Sequence, residues 1–109
     1  MALSFQEGRP VDPPECDTFA SGIAVRLAIP EAVVLMLEVV DRIVLVSERA
    51  LKEAVALLYE ATGHLVEGAA AATLAEALQS GESIKDRRNC LIVTGANLGE
   101  RMKRDRHRW

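Results

Sequence analysis

A chain of 109 residues, half of them hydrophobic but only 4% aromatic, has room for one domain and a modest core. That composition excludes a disordered segment, and the longest apolar stretch, residues 32–40 interrupted by Glu38, is too short to cross a bilayer. The formal charge of −3 hides an asymmetry: residues 1–100 carry 8 basic and 15 acidic side chains, whereas residues 101–109 carry five basic and one acidic.

In chain order, residues 1–17 read as an irregular N-terminal segment, because Gly8, Pro10, Pro13 and Pro14 break helix and central strand in turn. No apolar leader core lies in the first twenty residues, so no secretory signal is expected. Cys16 and Cys90 stand far apart, which argues against a disulfide framework and for a reduced, cytoplasmic setting. The small apolar residues around Gly22, from Thr18 to Val25, fit a buried loop or a short strand. Pro30 and Glu31 suit the first turn of a helix over residues 32–40, although the valines there leave a strand open.

Ile43, Val44, Leu45 and Val46 are four consecutive β-formers, as in a strand covered on both faces. Ser47 predicts an N-cap, after which Leu51, Ala54, Val55 and Leu58 repeat at helical spacing and Gly63 marks the stop. An alanine-rich helix is expected over residues 67–79, ended by Gly81. Residues 81–89 read as a polar loop, and residues 90–94 as a second apolar strand with Cys90 packed inside it. The order strand–helix–helix–strand is that of a right-handed parallel crossover, so the fold class is α/β with a partial parallel sheet. The body is expected over residues 18–98, with residues 99–109 as a basic tail. That tail lacks interleaved aromatic residues and reads as a solvated terminus, so neither nucleic acid nor membrane is an expected partner.

The most suggestive place for chemistry is Thr94-Gly95-Ala96-Asn97, because ligands of open parallel sheets sit beyond the carboxyl ends of strands. A strand ending in Thr-Gly is equally what a plain turn requires. His64, His107, Cys16 and Cys90 lack zinc spacing, so no metal site is expected. His64 follows a helix-ending glycine, where a cation is welcome. No serine-protease-type triad and no phosphate-binding P-loop can be traced.

Four stretches carry a family resemblance. Thr18-Phe19-Ala20-Ser21-Gly22-Ile23-Ala24-Val25 resembles a T-F/I-A-D/S-G-I/L-A-V motif, and Val40-Asp41-Arg42-Ile43-Val44-Leu45-Val46-Ser47 resembles a V-D-x-I/V-V-x-V-S strand. Val66-Glu67-Gly68-Ala69-Ala70-Ala71-Ala72 resembles V-E-P/G-A/S-G-A-A-A. Val93-Thr94-Gly95-Ala96-Asn97 resembles an S/C/T-G-G-N turn. In this order and spacing they are similar to the fold-type II pyridoxal-phosphate-dependent serine/threonine dehydratases. The resemblance implies a C-terminal fragment of that fold's large domain. It also implies that the Thr94 hydroxyl faces the cofactor's pyridine nitrogen, that Gly95 and Asn97 shape the turn, that Gly22 lies against the cofactor, and that Glu67 approaches it from a helix start. Ala70 and Ala96 depart from the family's glycines, and Ser21 replaces its commoner aspartate.

The family's other half is not matched. Its lysine motif S-F/L-K-x-R-G-A, which holds the cofactor as a Schiff base, and its S-G-G-G phosphate loop are both missing. Of Lys52, Lys85 and Lys103, only Lys85 in Ser83-Ile84-Lys85-Asp86-Arg87 copies the lysine motif, and it stands before the last strand with Arg88-Asn89 after it. The resemblance therefore implies a truncated remnant with no catalytic residues of its own, which binds pyridoxal phosphate weakly or not at all by itself. The rival readings are a self-associating or partner-binding module, expected as a homodimer, and a subunit completed by an N-terminal dehydratase chain carrying the lysine.

Overall fold

In the computed structural model, residues 1–96 and 98 are described. Their regular structure is four helices and two 3-10 turns, at Ser21–Ile23 and Gly81–Ser83. The capping signals act as expected. The Ser47 hydroxyl accepts the Ala50 N–H at 3.1 Å and starts α3 (Glu48–Thr62), and Gly63 ends it at φ 71 with its N–H on the Tyr59 carbonyl. α4 (Gly68–Ser80) ends at Gly81. Pro30 opens α2 (Pro30–Val39), which settles the helix-or-strand alternative at residues 32–40.

α3 and α4 pack together because their facing stripes are small. Leu51, Ala54 and Val55 of α3 meet Ala70, Ala71 and Ala75 of α4, and Ala20 and Val66 close the cluster. Alanine stripes let helix backbones approach closely. Most of the burial energy falls to Leu51, Val55 and Val66, each contributing about 1.5–3 kcal/mol when fully buried. Phe19, Val46, Leu58, Leu65 and Leu74 cover its edges.

Residues 1–17 are not irregular throughout. α1 (Ala2–Glu7) forms first and stops at Gly8 in the left-handed conformation, φ 66. The reason is tertiary. Ser4 is fully buried, and its hydroxyl both donates to the Val11 carbonyl and accepts the Val11 N–H. α1 packs on α2, whose buried residues are Val33 and Met36, and neither helix packs on α3 or α4.

The two expected strands are not formed as a ladder among the described residues. Residues 41–46 and 90–94 are neither helical nor laddered, and among the described residues no strand pairing forms. Both runs are held along α4 instead, by Arg42 on Glu76 at 3.1 Å and by the Thr73 hydroxyl on the Ile92 carbonyl at 3.2 Å. Cys90, expected inside a packed strand, is exposed, and both cysteines are free. The segment from Thr18 to Val25 is a loop around a 3-10 turn in which only Ala20 is buried.

The contact most sensitive to substitution lies where that loop meets α4. A Cβ on Gly68 would stand 2.5 Å from Cε2 of Phe19. Gly68→Ala should therefore cost about 1–3 kcal/mol, the range for overpacking a filled site. The double variant Gly68→Ala with Phe19→Leu should recover part of that loss in thermal or urea unfolding. Equal stability of Gly68→Ala and the parent would mean that this contact is loose.

Candidate functional site

The site grows from the Phe19 contact. With the ring seated on Gly68 and Ala20 buried, the next residues turn tightly, the Ile23 N–H reaching the Ala20 carbonyl at 3.0 Å. This turn sets Gly22 against the start of α4. A Cβ there would lie 3.0 Å from Ala69 Cβ and 3.7 Å from Glu67 Oε1.

Glu67 is the N-cap of α4, with extended backbone at φ −75 and ψ 159. Its carbonyl takes the Ala70 and Ala71 N–H groups, and its own N–H donates to the Gly95 carbonyl at 3.3 Å. Its carboxylate makes no cap bond to the helix. It reaches over Gly95 instead, where a Cβ would stand only 2.7 Å from Oε1. The positive end of the helix favours a carboxylate at this place. Thr73, two turns along α4, pins Ile92, so the run enters Thr94-Gly95 along the same helix.

Three of the five site residues expected from sequence, Gly22, Glu67 and Gly95, thus converge, and Thr94 adjoins them as an exposed residue. Neither the Thr94 hydroxyl nor the Glu67 carboxylate has a hydrogen-bond partner among the described residues. Asn97, the fifth, lies outside the described residues, as do the basic tail, Lys103 and His107. Ala70 points into the core at 1% exposure, so its methyl does not narrow this cluster; the methyl that approaches it belongs to Ala69. Phe19 and Gly68, which position everything, were read only as parts of motifs. A bare glycine opening an alanine-rich helix was their available signal.

No hydrogen bond or ion pair brings a described lysine to Glu67 or Thr94. The Lys52 ammonium stands 5.9 Å from the Phe19 ring centroid, and Lys85 pairs with Glu82 at 3.4 Å in its loop. Among the described residues no group of His, Cys, Asp and Glu is placed to hold a metal, and no helix is long and apolar enough to cross a membrane. A hollow of about 410 Å³ between α3 and α4, bordered by Leu45, Ser47, Arg49 and Leu78, is lined by none of the cluster's residues.

Comparison with known proteins identifies the family and the fold. The family model described as pyridoxal-phosphate dependent enzyme matches residues 1–95. An L-threonine ammonia-lyase of Geobacter sulfurreducens is 34% identical over 95 residues, covering 87% of this chain and 24% of that protein. A threonine dehydratase of Nicotiana attenuata is 35% identical over 100 residues, covering 90% of this chain and 17% of its own length. A crystal structure of T.th. threonine deaminase superposes with a TM-score of 0.81 at 30% identity, over 90% of this chain and 33% of that one. The chain thus spans a quarter or less of the curated relatives and a third of the solved chain, whose matched part has the same α/β fold.

The two glycines should respond differently to a methyl. At Gly95 the obstacle is the far end of a flexible carboxylate, which can swing aside, so Gly95→Ala should cost under about 1 kcal/mol. At Gly22 the obstacle is a helix methyl that cannot swing, so Gly22→Ala should be the more destabilising. Urea midpoints of the two variants decide this, and the reverse order would refute the geometry of the cluster.

Proposed function

Because the chain belongs to the pyridoxal-phosphate dependent enzyme family, we propose that it forms one wall of that cofactor's site and completes no catalytic centre alone. The observation that carries this reading is the open cluster of Gly22, Glu67 and Gly95 beside Thr94, which no described lysine joins. Gly22 and Gly95 bring bare backbone up against Ala69 and Glu67, where a Cβ would collide, and among the described residues the Thr94 hydroxyl has no hydrogen-bond partner. Such a set suits the edge of a flat heteroaromatic ring. It does not suit covalent attachment or a phosphate grip.

When bound, pyridoxal phosphate supplies an electron sink for reactions beside a substrate's amino group. In this reading the Thr94 hydroxyl would hydrogen-bond the ring nitrogen, with Gly95 and, outside the described residues, Asn97 as its neighbours in the sequence motif. Gly22 lets the ring lie close, and Glu67 borders it from the helix start. Residues 41–46 and 90–94 belong to a parallel sheet whose other strands lie outside these residues. The whole protein's activity would be elimination of water from serine or threonine, giving a 2-oxo acid and ammonia. A second chain carrying the lysine and phosphate loop would complete the site. That alternative draws on the same Thr94 hydroxyl and Glu67 carboxylate, which have no hydrogen-bond partner among the described residues. Self-association into a small non-catalytic module is the rival, and it draws on the exposed apolar runs.

Absorbance and fluorescence titration of the purified chain with pyridoxal phosphate tests the site. Weak binding is expected, reduced on the order of 5–10-fold by Thr94→Val, the worth of one hydrogen bond. Incubation with serine or threonine should release 2-oxo acid no faster than free cofactor does. Tight binding indifferent to Thr94→Val, or sustained turnover, would overturn the proposal.

A further inference from the structure

We propose that Glu48 is a positioning residue for the Gly22 side of the cluster: its carboxylate tethers the main chain of Phe19 and so sets the direction in which the Gly22 turn leaves the ring. The amides of Ala20, Ser21, Ile23, Ala24 and Val25 all donate to oxygens inside the loop. The Phe19 N–H instead crosses 29 residues of chain to Glu48 Oε2, at 3.2 Å. Glu48 is the first residue of α3 and follows the Ser47 cap directly. Lys52, one turn further along α3, is spaced to pair with it. The Lys52 ammonium stands over the Phe19 ring at 5.9 Å instead and makes no ion pair with Glu48, so the carboxylate is left to the amide.

A second tether matters because the ring contact alone does not fix direction. A phenyl ring lying on the bare backbone of Gly68 fixes where Phe19 sits. Its main chain can still swing about the two side-chain torsions within their wells, by roughly 20–30°. Gly22 lies three residues on, across a tight turn closed by the Ile23 N–H on the Ala20 carbonyl at 3.0 Å. Residues so related stand on the order of 6 Å apart, so such a swing displaces Gly22 by roughly 2–3 Å. A Cβ on Gly22 would already lie 3.0 Å from Ala69 Cβ. One direction of swing is therefore a collision, and the other opens the cluster. Holding the Phe19 amide removes that freedom. The Gly95 side does not depend on it, because the Glu67 N–H and the Thr73 hydroxyl hold that segment on α4.

The rival account of Glu48 is electrostatic, since the dipole favours an acidic residue in a helix's first turn whatever else it touches. The two accounts part at glutamine, which keeps a carbonyl oxygen for the Phe19 amide but brings no charge to the helix. That the positioned face belongs to a cofactor rests on the reading of the cluster as one wall of a pyridoxal-phosphate site. That Glu48 sets the place of Gly22 does not rest on it.

Nuclear magnetic resonance on the full chain reads the tether directly. The Gly22 α-protons and the Ala69 methyl should share a cross-peak in the parent. A shift of roughly 2 Å should weaken it on the order of 10-fold, since it falls with the sixth power of distance. Glu48→Ala should do this while the ring-current shift of Gly68 and the signals of the Glu67–Gly95 contact stay parental. Glu48→Gln should keep the parental cross-peak. Absence of the cross-peak from the parent, or its full strength in Glu48→Ala, overturns the proposal. So does its loss in both variants, which makes charge rather than the tether responsible. Joint loss of the Gly68 and Gly95 signals overturns it too, because Glu48 would then support the fold as a whole. Titration with pyridoxal phosphate reads the cofactor claim. Kd should rise on the order of 3–10-fold in Glu48→Ala, as when the competent arrangement is kept about a third to a tenth of the time, and not in Glu48→Gln. A parent that binds no pyridoxal phosphate refutes the cofactor reading and leaves the cross-peaks to judge Glu48, so the two proposals fail separately.

Discussion

Phe19 lays its ring on the backbone of Gly68, at a distance where no side chain fits between them, and the loop that follows takes its course from that contact. The Phe19 N–H binds the Glu48 carboxylate at 3.2 Å, so the same residue joins the first turn of α3 to the first turn of α4. Gly22 reaches Glu67 because it lies three residues beyond the ring, and Glu67 lies one residue before the bare glycine. Gly95 is then fixed through the Glu67 amide. The ring sets the loop of Gly22 against the start of α4, where the Glu67 amide and Thr73 hold the segment of Gly95 independently.

Around this contact the usual distribution of apolar residues is partly inverted. Alanines fill much of the interior, at Ala20, Ala54, Ala70, Ala71 and Ala75, while Leu27, Ile29, Leu35, Leu45 and Ile92 stand more than half exposed. Small residues bring α3 and α4 close, but each contributes little burial, and the large side chains that contribute most lie outside. α2 is apolar on nearly every side yet buries only Val33 and Met36. A helix of that kind normally has neighbours all round. At 41 × 38 × 19 Å, the molecule has in its thinnest direction room for about two layers. The chain has the composition of an interior and the dimensions of a slab cut from one.

What could be read from the sequence was what local chemistry decides. Ser47, Gly63 and Pro30 act through residues within one turn, and the spacing of Leu51, Ala54, Val55 and Leu58 needs only the helical period. α1 could not be read this way, because its support comes from a serine bonding seven residues away. The apolar runs at 41–46 and 90–94 were recognised as β-formers, but a ladder needs partners, and none is found among the described residues. Cys90 was misjudged for the same reason, since packing inside a strand presupposes a covered strand. The convergence of Gly22 and Gly95 on Glu67 spans 45 and 28 residues of chain, and no periodicity reports it. Only family likeness brought those residues together beforehand, and it did so without Phe19, whose side chain sets the geometry.

The hydroxyl of Ser4, fully buried and holding both main-chain groups of Val11, gives the molecule two clocks. Val11 sits in a loop, where amides ordinarily trade hydrogen with water quickly. Its N–H is instead bonded to a buried oxygen, so its exchange waits for α1 and α2 to part. Those helices share no packing with α3 and α4. Opening of the first pair therefore need not expose the amides of Leu51 or Val55, and the two halves can breathe with separate free energies. A chain this small would then contain two foldons rather than one, joined by a loop held to the larger of them through Phe19, Ala20 and Gly22.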